Sequence, residues 1–274
     1  MTGSPAVTMP RATERVGRFQ LIRPLEYGGC GETFEAFDPL FGQTIALKLL
    51  PRRTAHEPDL CALAWQWASV CHESIMAVHD AGLIDDLVFI AMPRVEARPL
   101  SSSLAARTPV PAGMALPILS QILAALQAAH QGDLVHGALQ PSNILCSASG
   151  DVMVSDFGLP DPVTDYFLNP PYYQSPEQLW SDGVDYRTDI YSAGVIAYEM
   201  LTGVNPFASE RNDVSTVMIK IMSGQKPPLI DSCLSEHPAL AGVLAKAMAR
   251  RPEDRFQSVR ELSAALTSAI VHPV

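Results

Sequence analysis

The chain is short of several things. Its five cysteines (Cys30, Cys61, Cys71, Cys146 and Cys233) are odd in number and nowhere spaced as CxxC. That argues against both a metal clip and a disulfide framework, and favours buried thiols in a reducing cytoplasm. Basic residues are scarce too: 19 Lys and Arg face 29 Asp and Glu, a net charge of −10. Such a balance speaks against a nucleic-acid partner or an anionic membrane surface. No run of like charge suggests a tail, and no uncharged apolar stretch is expected to reach the roughly 18 residues that mark a membrane span. The opening MTGSPAVTMPRATERVG lacks the charged-then-apolar order of a signal peptide, so residues 1–17 read as a flexible lead-in. At 274 residues the chain has ample length for a core, as one large or two small domains.

What is present is concentrated in one stretch, VHGALQPSNILCSASGDVMVSDFG, from Val135 to Gly158. An apolar run from Ile144 to Cys146, a turn at Ala148-Ser149-Gly150-Asp151, and the alternation of Val152 and Val154 predict a hairpin. Its outer ends then bring Asn143 and Asp156 together, thirteen positions apart in sequence. An amide oxygen and a carboxylate on a short hairpin suit Mg²⁺, which completes its shell with water and phosphate oxygens.

A second signal lies upstream. Phe19 to Leu25, Thr33 to Phe37 and Thr44 to Leu50 read as strands. Between the first two sits Glu26-Tyr27-Gly28-Gly29-Cys30-Gly31, a Gly-rich turn whose backbone amides can approach phosphates closely. By itself such a turn is more often a plain hairpin. Lys48, however, stands inside an apolar strand, where an ammonium seldom points inward without a partner; the alternative is an outward-facing surface lysine. Asp59 to Val70 shows a helical stripe (Leu60, Leu63, Trp67, Val70), with Glu57 and Asp59 at its start as ordinary caps. Ile75 to Ala81 and Leu87 to Met92 read as two more strands, and Leu119, Ile122, Leu123, Leu126 and Ala129 as the apolar stripe of a core helix.

Taken in order, these segments resemble the eukaryotic-like (bacterial) serine/threonine protein kinase family. The central stretch is similar to the catalytic loop H-R-D-L-x-x-x-N followed by D-F-G, through His136, Leu139, Pro141, Asn143 and Asp156-Phe157-Gly158. Ile45-Ala46-Leu47-Lys48 resembles the V-A-I-K strand, and Ser175-Pro176-Glu177 the A-P-E that closes the activation segment. The resemblance implies an α+β, bilobal fold, with a strand-rich N-lobe over 18–95, a helical C-lobe over 96–268 and a tail over 269–274. It further implies ATP and Mg²⁺ as ligands. Gly28, Gly31, Ala46, Lys48, Val95 and Leu145 would form the nucleotide pocket, with Val95 at the hinge Met92-Pro93-Arg94-Val95. Asn143 and Asp156 would hold the metal, Asp189 would prop the catalytic loop, and Arg255 would pair with Glu177 in a buried salt bridge.

The departures from the family pattern cluster on the chemistry. Ala138 occupies the position of the catalytic aspartate, Gly137 that of the arginine before it, Gln140 that of the loop lysine and Pro170 that of the activation-segment threonine. The helix glutamate that usually clamps the strand lysine has no counterpart between Leu60 and Cys71, Glu26 replaces the first loop glycine, and Thr33 replaces the valine after the last. Losing a general base alone costs about 10²–10⁴-fold in rate. The joint loss implies a pseudokinase: a nucleotide-responsive binding or scaffold module read by a protein partner. The alternative is a weakly active serine/threonine kinase that recruits Asp133, Asp161 or Asp165 as a substitute acid. A small-molecule kinase, suggested by His136-Gly137, ranks last because it also needs the missing aspartate.

Overall fold

A computed structural model describes residues 10–25, 31–52, 59–160, 171–208, 213–224 and 238–271. The N-terminal part is an antiparallel sheet of β1 (Arg15–Val16), β2 (Phe19–Leu25), β3 (Glu32–Asp38), β4 (Gln43–Pro51), β5 (Asp80–Ile84) and β6 (Leu87–Pro93), in the order β1-β2-β3-β4-β6-β5. β1 therefore lies within the stretch read as lead-in. Alternation along the strands sorts side chains onto two faces. Phe34 opposite Leu47 and Ala36 opposite Ile45 belong to a small cluster of their own around Phe19 and Phe89. Ala46, Leu50, Ile90 and Met92 point the other way and join the main core. Against this inner face packs α1 (Leu60–Ala68), whose first free amides, of Cys61 and Ala62, are capped by the Asp59 carboxylate.

The C-terminal part is helical: α2 (Leu100–Leu104), α3 (Ala112–Gln131), α4 (Pro176–Leu179), α5 (Arg187–Thr202), α6 (Val214–Ser223), α7 (Pro238–Ala247) and α8 (Val259–Val271). A small sheet of β7 (Ala97–Pro99), β8 (Ile144–Ser147) and β9 (Val152–Val154) lies beneath the N-terminal sheet and carries the predicted hairpin. Such an arrangement, a strand-rich lobe on a helical one, is the bilobal α+β fold. α5 is buried on nearly every side, so it reads as hydrophobic all round and serves as the central post. It stops at Gly203, whose φ of +74° no side chain would tolerate here, because an added Cβ would meet the Thr108 backbone at 2.8 Å.

Two expectations need correction. The strand expected at Ile75 to Ala81 lies instead at Asp80–Ile84, and only Ile75 bridges, to Val154. The pairing is set by the tight Asp85-Asp86 turn, with Asp85 at φ +52°, which brings Ile84 opposite Leu87. Second, Ala112–Gln131 is a helix of 20 residues without an acidic or basic side chain other than His130, long and apolar enough to cross a membrane by that measure. Its stripe of Ala115, Leu119, Ile122, Leu123, Leu126 and Ala129 is instead buried in the main core, and Ser120, Gln121 and Gln127 interrupt the apolar surface elsewhere.

Lower in the C-terminal lobe, Arg255 and Glu177 form the expected pair, with both guanidinium–carboxylate contacts at 2.7 Å. Arg255 also donates to the carbonyls of Ala249, Arg187 and Arg250, and Thr188 donates to Glu177 at 2.8 Å. This satisfaction of every remaining group is what makes a buried ion pair tolerable. Burial pushes the Glu177 carboxyl up, but the Arg255 guanidinium outweighs it and holds the group below its ordinary value. A carboxyl depressed in the folded state stabilises above its unfolded pKa of about 4.3, and the contribution is lost as pH falls through the lower folded value. Glu177→Gln leaves Arg255 buried without its counter-charge and is expected to cost about 3–5 kcal/mol in urea unfolding at pH 7. That penalty should shrink as the pH is taken well below 4.

Candidate functional site: the cleft between the sheet and the hairpin

The site is built from the two ends of the hairpin and one strand above it. Ile144 pairs with Val154, so the residues just outside that pair, Asn143 and Ser155-Asp156, meet. The Asn143 carbonyl accepts the Ser155 amide at 2.9 Å and the Asn143 side-chain amide donates to the Ala138 carbonyl at 3.0 Å. Asp156 sits at φ +67°, an uncommon conformation that an aspartate tolerates better than most residues. From above, Lys48 reaches down from β4 and its ammonium lies 2.5 Å from the Asp156 carboxylate, each side chain being 1% exposed. The inward lysine predicted from the strand pattern is therefore present, and its counter-ion is Asp156 rather than a helix glutamate.

The loop that carries residue 138 is held by its main chain. Asp189, wholly buried near the start of α5, accepts the His136 and Gly137 amides at 2.9 Å each and His130 Nε2 at 2.7 Å. Gln178 of α4 donates to the Gly137 carbonyl. Burial drives the His136 imidazole to a lower pKa and keeps it neutral. Its Nδ1 accepts the Ala138 amide at 3.3 Å, which places the ring proton on Nε2. The His136 ring also meets Phe157 at 4.7 Å between centroids, within one apolar core that includes Trp67 of α1.

Of the residues predicted for the nucleotide pocket, Ala46 and Leu145 are fully buried in the same core, one from each lobe. Val95 is half-buried against it. Gly31 has φ +68°, and an added Cβ would lie 2.3 Å from the Leu49 carbonyl, so only glycine fits. Gly28, like Glu26, Pro170, Asp161 and Asp165, lies outside the described residues. Asp133 is exposed at the end of α3, its amide bonded to the His130 carbonyl, and the side chain at 138 is a methyl group. Sequence reasoning did not find the partners His130 and Gln178. His130 sits at the last turn of α3 and Gln178 directly after Glu177, and neither position carries a distinctive pattern.

Chemically, the arrangement brings an ammonium from β4 together with a carboxylate and an amide from the two ends of the hairpin. Mg²⁺ asks for one or two protein oxygens and fills the rest of its shell from phosphates and water; Asp156 and Asn143 meet that demand, and Lys48 offers the positive charge a phosphate needs. The pair also matters to the fold. Lys48→Met takes the ammonium away from the buried Asp156 carboxylate and is expected to lower stability by about 3–5 kcal/mol, whereas Lys48→Met combined with Asp156→Asn should recover much of that loss. Equilibrium denaturation of the two variants checks both values.

Comparison with known proteins agrees with this geometry. The chain is 33% identical over 281 residues to the serine/threonine-protein kinase Pkn1 of Myxococcus xanthus, covering 97% of this chain and 40% of that protein. It is 28% identical over 264 residues to PrkC of Bacillus subtilis (92% of this chain, 40% of the relative) and 32% over 267 residues to PknB of Mycobacterium leprae (91% and 42%), both named serine/threonine-protein kinases. The chain thus spans about two fifths of the length of these relatives. The protein kinase domain family matches residues 19–266. With that match, the fold and the Lys48–Asp156–Asn143 cleft together, the chain belongs to the protein kinase domain family.

Proposed function

We propose that this domain binds ATP with Mg²⁺ in the cleft between its lobes and acts chiefly as a pseudokinase, presenting a nucleotide-dependent arrangement of the lobes to a protein partner. The observation that carries the reading is the split in the site. The groups suited to phosphate and metal, Lys48, Asp156 and Asn143, are together, while the position of the base holds Ala138. Bound Mg²⁺ neutralises phosphate charge; the chain's own residues do the rest. Asp156 and Asn143 would hold the metal, Lys48 would pair with phosphate oxygens, and Ala46 with Leu145 would enclose the adenine. No group at 138 can accept the proton of an attacking hydroxyl.

A second reading is favoured by the relatives, whose names make them serine/threonine-protein kinases: an ATP-dependent serine/threonine kinase of low activity. Phosphoryl transfer has a loose transition state and depends mostly on positioning and charge, so a missing base slows it without forbidding it. Without the arginine that Gly137 replaces, a phosphate on the chain's own activation segment has no such receiver in this loop under either reading.

One measurement tests nucleotide binding, common to both readings, and a second separates them. Ligand at about 100 times its dissociation constant adds roughly 2.7 kcal/mol to folding stability, so ATP with Mg²⁺ should raise the melting temperature and Lys48→Ala should abolish the rise. No shift at millimolar ATP would overturn nucleotide binding altogether. In a radiolabelled transfer assay, the unmodified chain is expected near background and Ala138→Asp to gain about 10²–10⁴-fold. Robust transfer by the unmodified chain that Ala138→Asp leaves unchanged would favour the active kinase.

A further inference from the structure

A carboxylate stands on the inner face of the N-terminal sheet, and the reading of the cleft gives it no role. The register places it. Glu35 of β3 lies directly opposite Ala46 of β4, and Ala46 directly opposite Met92 of β6. Ala46 and Met92 belong to the main core, and directly opposed residues project to the same face. Glu35 therefore shares the face that encloses the cleft. On its other side it is opposed by Arg23 of β2.

Two guanidiniums meet at that carboxylate. Arg23 approaches Glu35 Oε2 at 2.6 Å, and Arg94 Nε donates to the same oxygen at 3.1 Å. Arg94 follows directly on β6, which ends at Pro93, and β4 runs between β6 and β3. Neighbouring strands are about 4.8 Å apart, so Arg94 spans roughly 10 Å of sheet to reach Glu35. Its side chain has to cross β4, and the residue of β4 opposite Glu35 is Ala46, whose methyl group leaves the room. The Arg94 guanidinium also donates to the Val95 carbonyl. It thus rests between Ala46 and Val95, two of the residues expected to line the nucleotide pocket. Arg94 and Glu35 are only 24% and 18% exposed, which strengthens their attraction over that of a pair in open water.

We propose that the Arg94–Glu35 bridge is an autoinhibitory strap: in the ligand-free domain it covers Ala46 at the hinge end of the cleft, and nucleotide enters only when the bridge parts. The inference rests on the nucleotide reading of the cleft and concerns access to it, not the contacts of the bound nucleotide. Arg23 lowers the cost of parting. Once Arg94 swings away, Glu35 keeps a counter-charge in Arg23, so the opened arrangement strands no carboxylate. The strap thus has two defined arrangements whose balance a ligand can shift. A site open for only part of the time binds with its intrinsic affinity reduced by the open fraction. For a partly exposed pair that factor is about two to five.

The test is a cycle of Glu35→Ala, Arg94→Ala and the double variant. Each is titrated calorimetrically with ATP and Mg²⁺, and stopped-flow mixing with a fluorescent ATP analogue gives association and dissociation rates. The two single variants change the net charge in opposite directions. A charge effect on the nucleotide would therefore move them oppositely, whereas loss of the strap moves them together. Each single variant is expected to bind about two- to fivefold more tightly than the parent through faster association, with dissociation unchanged. The double variant should gain no more than either single one. The gain should shrink as salt is raised, because the bridge in the parent is then screened. Opposite shifts in the two single variants would overturn the inference, and so would unchanged affinity in both; nucleotide binding would survive either result. Faster dissociation with unchanged association would overturn it as well, since the bridge would then retain nucleotide and not exclude it. If neither the parent nor any variant binds ATP, the reading of the cleft falls and the inference with it.

Discussion

The ion pair between Lys48 and Asp156 joins the two halves of this molecule where neither could bury its charge alone. A lysine in an apolar strand and a carboxylate at the end of a hairpin are each costly out of water. Placed 2.5 Å apart and almost fully enclosed, they relieve one another. The pair also fixes the spacing between the sheet and the hairpin, and so the height of the cleft.

Beneath that pair, the loop around residue 138 depends on Asp189 in the same way that the lower lobe depends on Glu177 and Arg255. In both places a buried charge is surrounded by directed donors or acceptors, several of them backbone groups. Such networks give α5 its role: it carries Asp189 at one end, Thr188 toward Glu177 beside it, and apolar packing along the remainder. The helix is the fixed body against which the loop, α4 and α7 are placed.

Much of this was legible in the sequence. The strands of the N-terminal sheet follow their alternation, β2 with both ends at the predicted residues, and the hairpin follows from one turn and two short apolar runs. Asp59 is the cap it was read to be. What could not be read was long-range. Lys48 and Asp156 are 108 positions apart, and nothing local to β4 tells that an inward lysine, lacking a helix glutamate, takes the aspartate at the end of the hairpin as its partner. β5 was misplaced because Ile75 to Val78 is apolar enough to pass for a strand, while the actual pairing is decided by the neighbouring turn. The uncharged length of α3 escaped notice because glutamine and serine break its hydropathy without adding charge.

One contact pattern in the loop has a wider meaning. Residue 138 is engaged through its amide, by His136, and through its carbonyl, by Asn143; no bond of the network passes through its side chain. The bonds that shape the loop therefore make no use of the side chain at 138. In evolutionary terms the shape of the loop is uncoupled from that side chain: the bonds that hold its backbone place no demand of their own on a carboxylate there.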